Sequence, residues 1–279
     1  MAFIIFGVGR SNKPKEGGIH TKRLMAILLA AFILVTVNGT AAAGGLFGPP
    51  QSISKEAGGL NTGIGYWYHE DKYQNDSERI TRQNQIYSQL GYGTKTWEIY
   101  GRVGVSDLKI LDAFRATPSS AATSKNDFED HGEFFGTLGT KGFYPFNKTF
   151  GIGAFVQGSY YFTDFTDDVS GSFNGVPFRA NLKVKTLWDV NGGIGFQATV
   201  PYGIKLYIGP YASYSEAKAS LSPNLPDLKF ETGEVTIKSA TNIGGFIGLD
   251  VPLAKGFHLN VEGQFSARFS VGAVVTYSY

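Results

Sequence analysis

The chain has 279 residues with no cysteine, 37 glycines and 14% aromatic residues, and 25 lysines and arginines stand against 23 acids for a formal charge of +2. Without cysteine a disulfide-built fold is excluded, and a mean hydropathy of −0.09 excludes a bundle of membrane helices but not a barrel, whose strands are apolar only at alternate positions. A charge this close to neutral gives no basis for nucleic acid as a partner.

The chain opens with a targeting pattern. Lys13, Lys15, Lys22 and Arg23 form a basic region, residues 24–37 an apolar run of 14, and Ala41-Ala42-Ala43 a small-residue cleavage site. A spanning helix needs about 20 apolar residues, so residues 1–43 read as a Sec-type signal peptide cleaved near Ala43 rather than as a permanent anchor. Removing them takes away five basic residues and one acid and leaves 20 basic against 22 acidic, a charge of −2. The apparent basicity therefore belongs to the targeting segment. Residues 44–60 (GGLFGPPQSISKEAGGL) carry paired glycines, Pro49-Pro50 and no period, and read as a short lead-in.

From residue 61 onward, ten strand-like runs follow and no amphipathic helix. The first, 61–69, sets Ile64, Tyr66 and Tyr68 against Gly63, Gly65, Trp67 and His69, and a polar loop 71–82 follows. The second, 85–93, turns at Thr94-Lys95 into the third, 96–110, where Trp97, Ile99, Val103 and Val105 oppose Glu98, Tyr100, Arg102 and Ser106. Residues 112–131 are too polar for a core and read as a loop. The fourth run is 133–140. The fifth, 149–163, sets Phe150, Ile152, Ala154, Val156, Tyr160 and Phe162 against Gly151, Gly153, Phe155, Gln157, Ser159 and Tyr161. After a polar loop 164–176 comes the sixth run, 178–200, with Val184, Trp188, Val190, Ile194 and Phe196 on one face and Lys185, Asp189, Asn191, Gly193, Gly195 and Gln197 on the other. The seventh (204–215) and eighth (234–251) flank a loop at 216–232, and two runs within 257–279 end the sequence. Connections one, three, five and seven are long and polar, whereas two, four, six and eight are short. Up-and-down membrane barrels sort their loops in this way.

The terminal stretch FHLNVEGQFSARFSVGAVVTYSY alternates throughout, with Phe269, Val271, Val275, Tyr277 and Tyr279 on the apolar face and an aromatic at the last position. In this it resembles bacterial outer-membrane β-barrels of the opacity-protein and OmpA-like type, from which no appended domain is expected here. The resemblance implies that these five residues are the signal read by the barrel-assembly machinery, that the lead-in is periplasmic, and that the cell is Gram-negative. Aromatics support it by falling at two heights: Tyr66, Trp67, Tyr68, Tyr160, Phe162, Trp188 and Tyr214 at the outer ends, and Trp97, Phe143, Tyr144, Phe146, Tyr202, Phe257, Tyr277 and Tyr279 at the inner ends.

The expected fold is thus all-β, a closed up-and-down antiparallel transmembrane barrel over residues 61–279 with about ten strands, eight or twelve remaining open. Glu98, Arg102, Lys185, Asp189, Lys205, Lys238, Asp250 and Glu262 fall on inward faces as lumen-lining charges. They fit an ion-paired, side-chain-filled interior, which a barrel of this size favours, or the lining of a narrow porin-like channel. Catalysis is not expected. His258, Glu262 and Ser266 are spaced by four residues, about 13 Å along a strand, too far for a relay. Asn260 stands where the His-x-Ser motif of barrel lipid hydrolases has serine. The acids of Glu129-Asp130-His131 and of Asp164, Asp167 and Asp168 sit at loop bases without a ligand-loop spacing, so no metal or cofactor is expected. The expected role is that of an envelope structural or surface-interaction barrel in the outer membrane, with membrane lipid as partner and an extracellular ligand approaching through the long loops. A channel and an outer-membrane hydrolase are the alternatives.

Overall fold

Strict alternation makes each strand a two-faced ribbon, and rolling such ribbons into a closed sheet buries one face of each while leaving no backbone edge unpaired. The computed structural model describes residues 45–54, 58–72, 80–114, 121–173, 175–225, 228–229, 234–238, 242–266 and 269–279; the expected signal peptide and its cleavage site lie outside these residues. The strands are β1 (Gly59–Lys72), β2 (Ile80–Gly93), β3 (Trp97–Ile110), β4 (Ala121–Thr123), β5 (Phe128–Pro145), β6 (Phe150–Tyr161), β7 (Phe165–Phe173), β8 (Val176–Thr199), β9 (Lys205–Leu225), β10 (Leu228–Lys229), β11 (Val235–Lys238), β12 (Asn242–Pro252), β13 (Phe257–Phe265) and β14 (Phe269–Ser278).

Ten of them, β1, β2, β3, β5, β6, β8, β9, β12, β13 and β14, form the wall, each antiparallel to the next. The ring closes where β14 returns to β1, from Asn61 opposite Ser278 to His69 opposite Ser270, so the wall has no free edge. This is the ten-stranded closed barrel expected from the alternation. Connections 94–96, 146–149, 200–204 and 253–256 are short and share one end, here the turn end. The long connections and the tight one after Phe265 share the other, the loop end. There β7 pairs with β4 and with the first part of β8, while β10 and β11 pair with β9, extending the sheet beyond the barrel.

The outer face carries Ile64, Ile86, Leu90, Val103, Leu138, Val156, Ile208 and Ile247 at 48–68% exposure, an apolar belt that only lipid covers at no cost. Exposed aromatics bound it, among them Tyr66, Phe134, Tyr160 and Phe162 toward the loop end and Tyr92, Trp97, Tyr144 and Phe257 toward the turn end. Two residues assigned to these girdles are not in them. Trp67 is fully buried inside the barrel, where Gly272 leaves room for its ring, and Phe143 lies on the inward face over Gly151.

Three further departures have local causes. In β8, Thr186 adopts φ 48°, a left-handed conformation costly for a β-branched residue, and the register against β9 shifts between Lys185 and Trp188. The extra residue reverses facing above it: Val184 is buried, and Lys185 stands on the outer face in an ion pair with Glu234 at 3.0 Å. The expected strand 234–251 is two strands, β11 and β12, and Lys238 on β11 is exposed beyond the barrel, paired with Glu216 at 3.3 Å. Neither lysine lines the lumen. Finally, the polar stretch 112–131 contributes Ala113, Phe114 and Phe128 to a buried cluster with Leu108, Phe165, Leu182 and Leu187, so the loop end is capped by an apolar core rather than by solvated loops alone.

Candidate functional site

The inward faces of the ten strands meet a guest from the same chain. Residues 45–50 are all buried, and the run from Gly45 to Ser54 lies inside the lumen, from mid-barrel down to the turn end. Its sequence explains why it is not a strand: Pro49 and Pro50 have no N–H to give to a ladder, and Gly48 sits at φ 75°, a bend that L side chains rarely adopt. The lead-in expected outside the barrel is therefore its filling. The wall holds it by side chains reaching its main chain.

Glu262 is the principal clamp. Its two carboxylate oxygens accept from the amides of Phe47 (3.0 Å) and Gly48 (2.9 Å), and Tyr207 Oη and Gln264 Nε2 donate to the same group at 3.0 and 2.8 Å. Gly45 O accepts from Gln157 and Gln264, each at 3.1 Å. Lower down, Lys141 Nζ donates to Pro49 O (3.2 Å), the Gln51 amide to Gln197 (3.0 Å), Lys205 Nζ to the carbonyls of Gln51 and Ser52 (3.3 and 3.4 Å), and Ser52 Oγ to Glu98. Asn61 at the start of β1 donates to Ser54 Oγ at 3.1 Å. Hydrogen bonds to a charged partner contribute about 1.5–3 kcal/mol each against 0.5–1.5 for neutral ones, so the bonds to Glu262, Glu98, Lys141 and Lys205 outweigh those to the glutamines, and Glu262 alone takes two amides of the segment.

Two shaped hollows receive side chains. Phe47 enters a box of Phe155, Tyr211 and Phe246 with ring centroids 4.0, 5.4 and 5.4 Å away. Pro50 lies against Gly153 and Gly195, where an added Cβ would come within 2.8 and 2.7 Å of it. Leu46, above the box, joins the apolar cluster that continues through Trp67 and Tyr87 to the loop-end cap.

Six of the charges read as lumen-lining are inside: Glu98, Arg102, Asp189, Lys205, Asp250 and Glu262 are each at most 8% exposed. Glu98, Lys205 and Glu262 touch the segment. Arg102 stacks between the Tyr87 and Tyr100 rings (4.9 and 4.8 Å) and donates to Gln89 and Gln157. Asp189 accepts from Asn191, and Asp250 pairs with His258 at 3.1 Å near the turn-end mouth. Phe269, Val271, Val275, Tyr277 and Tyr279, expected to form an assembly signal, lie on the outer side of the closing strand, with Phe269 against Phe265 (5.3 Å) and Tyr277 between Phe257 and Tyr279 (4.9 Å each). The loop acids tie neighbouring chain together: Asp167 accepts from the amides of Glu129 and Asp168, Asp130 from those of His131 and Thr166, and Asp168 from the side chains of Asn181 and Arg179. Among the described residues no group of three or more His, Asp or Glu side chains gathers as a metal site. Sequence reasoning passed over Lys141 and the segment itself, although the apolar pair Leu46-Phe47 ahead of Gly-Pro-Pro was a visible signal for burial.

No family model matches the chain, and no curated protein matches it. Among solved structures it is similar to the translocator domain of autotransporter NalP from Neisseria meningitidis (10% identity, 93% of this chain and 98% of that one, TM-score 0.48). The outer membrane protease OmpT from Escherichia coli (12%, 80% and 95%, 0.43) and the attachment invasion locus protein Ail of Yersinia pestis (14%, 78% and 95%, 0.28) are also similar. At such identities and scores these likenesses assign this chain no activity.

Proposed function

We propose that the protein is an outer-membrane β-barrel with an occluded lumen, serving an envelope structural or surface-interaction role through its loop-end extension rather than conducting solutes or catalysing a reaction. The observation that carries this reading is the buried run 45–50, held by Glu262 in mid-lumen beneath an apolar cap. A porin-like channel would require both obstructions to leave. Catalysis is left without a role for the Asp250–His258 pair, which sits at the mouth beside Lys205, itself bonded to the segment. In this reading residues 1–43 are a Sec signal removed near Ala43, and the exposed aromatics of β14 are recognised by the barrel-assembly machinery. The test is planar-bilayer recording on refolded protein. Current at background is expected, and reproducible discrete steps from the unmodified protein would replace this reading with a channel.

A further inference from the structure

We propose that the lumen is a receptor for an extended peptide of the form aromatic-Gly-Pro-Pro, that Phe47 to Pro50 is its resident ligand, and that the site admits such a peptide from the turn end. This deepens the occluded-lumen reading and rests on it. The segment is bound as a ligand is bound. It shares no ladder with the wall, and from Gly45 to Pro49 the hydrogen bonds quoted above run between wall side chains and its amides and carbonyls, which is recognition of a main chain in one conformation. Two prolines fix much of that conformation in advance, so little ordering is lost on docking.

Selectivity is built into the wall. The Phe155, Tyr211 and Phe246 box demands an aromatic ring, Gly48 at φ 75° demands glycine after it, and the hollow over Gly153 and Gly195 fits a flat proline ring. Glu262 sets the register by taking the amides of the aromatic residue and the glycine together. The route is one-sided. A cavity of about 940 Å³ at the turn end is lined by Gln51 to Ser54 together with Lys95, Lys148 and Tyr202, whereas the apolar core blocks the loop end. A vacated site would therefore be a blind pocket open to one side of the membrane.

The experiment inserts a protease site between Ser54 and Gly58 of the full chain, lets it assemble in membranes, cuts it, and adds fluorescein-labelled Leu-Phe-Gly-Pro-Pro-Gln-Ser. Saturable exchange into the cut protein, none into the uncut protein, and affinity about a hundredfold weaker for the peptide carrying Phe47→Ala are expected. A Gly195→Ala wall should also weaken binding, because its methyl meets Pro50. Uptake indifferent to Phe47→Ala, a cut fragment that neither leaves nor exchanges over days, or release without uptake would each overturn the proposal. Bilayer recording on the same preparations separates the two ideas: current from uncut protein defeats the occluded-lumen reading, while failed exchange with no current defeats only the receptor.

Discussion

Phe47→Ala isolates the contribution of the aromatic box to holding the segment in place. Phe47 is 1% exposed and touches three rings, and truncating a buried phenylalanine costs about 3–5 kcal/mol. Here the strand pairings that close the wall include no residue of the segment, so the loss is expected to fall on docking rather than on the barrel. The lower figure applies, since the box can relax around the void and the Glu262 bonds survive; about 3 kcal/mol corresponds to roughly a hundredfold shift toward the undocked state. Hydrogen exchange read by mass spectrometry on the 45–54 region should show protection of the Phe47-site and Gly48 amides falling by that factor, with strands β5 to β14 unchanged. Unchanged protection would refute the claim that the box holds the segment. Uniform loss across the strands would show the segment to be part of the barrel's own core.

Glu262→Gln should lower protection of the same two amides about tenfold, since one amide loses its acceptor in a buried place; equal protection would mean that the clamp lies elsewhere. Val156→Arg or Ile247→Arg, on the lipid-facing belt, should cost roughly 2–4 kcal/mol and reduce insertion sharply, as read by outer-membrane fractionation and the shift in gel mobility on boiling. Deleting residues 277–279 removes the edge-to-face Tyr277–Tyr279 contact and the Tyr279 amide bond to Leu60 O, and should block assembly while leaving export intact. Beyond the barrel, hydrogen bonding from Asn181 and then Arg179 holds the Asp168 carboxyl below its ordinary range. A depressed value in the folded state means that its stabilisation is present above the ordinary carboxylate range and is lost as pH falls through the folded value. Asp168 is about half exposed, so the effect is small: Asp168→Asn should lower the Tm by a degree or two at pH 6 and by nothing at pH 2. An equal loss at both pH values would assign it to packing.

The fold was legible because a period of two is hard to imitate. Val156 and Gln157 in β6, or Val275 and Thr276 in β14, declare their faces by residue type alone, and loop parity then orders the strands. What escaped were events that leave the period intact in sequence and break it in space. At Thr186 one added residue turns Lys185 outward, and a threonine in a left-handed conformation carries no mark of it. Lys238 was misplaced because β11 and β12 alternate like a single strand. The segment 45–54 was invisible to periodicity altogether: its glycines and prolines describe a chain that is not a strand, and only its long-range bonds, such as Phe47 to Glu262, show that it fills one barrel. Phe155 read as inward only by parity; its partner Phe47 was in a stretch that no periodic reading assigns to the lumen.

The central claim is that residues 45–54 occupy the lumen, and a cysteine pair tests it most directly in a chain that has no other cysteine. A Cβ at Gly195 would lie 2.7 Å from the Pro50 Cγ with no backbone atom among its nearest neighbours, so Pro50→Cys, which removes that Cγ, with Gly195→Cys brings the two Cβ atoms near the usual disulfide separation of roughly 3.8 Å. Mild oxidation of the assembled double variant should form the bond in nearly every molecule, while Pro50→Cys paired with Ser88→Cys on the lipid-facing surface should form none. A disulfide-free 50–195 pair in protein shown by boiling-sensitive mobility to be folded would contradict the account.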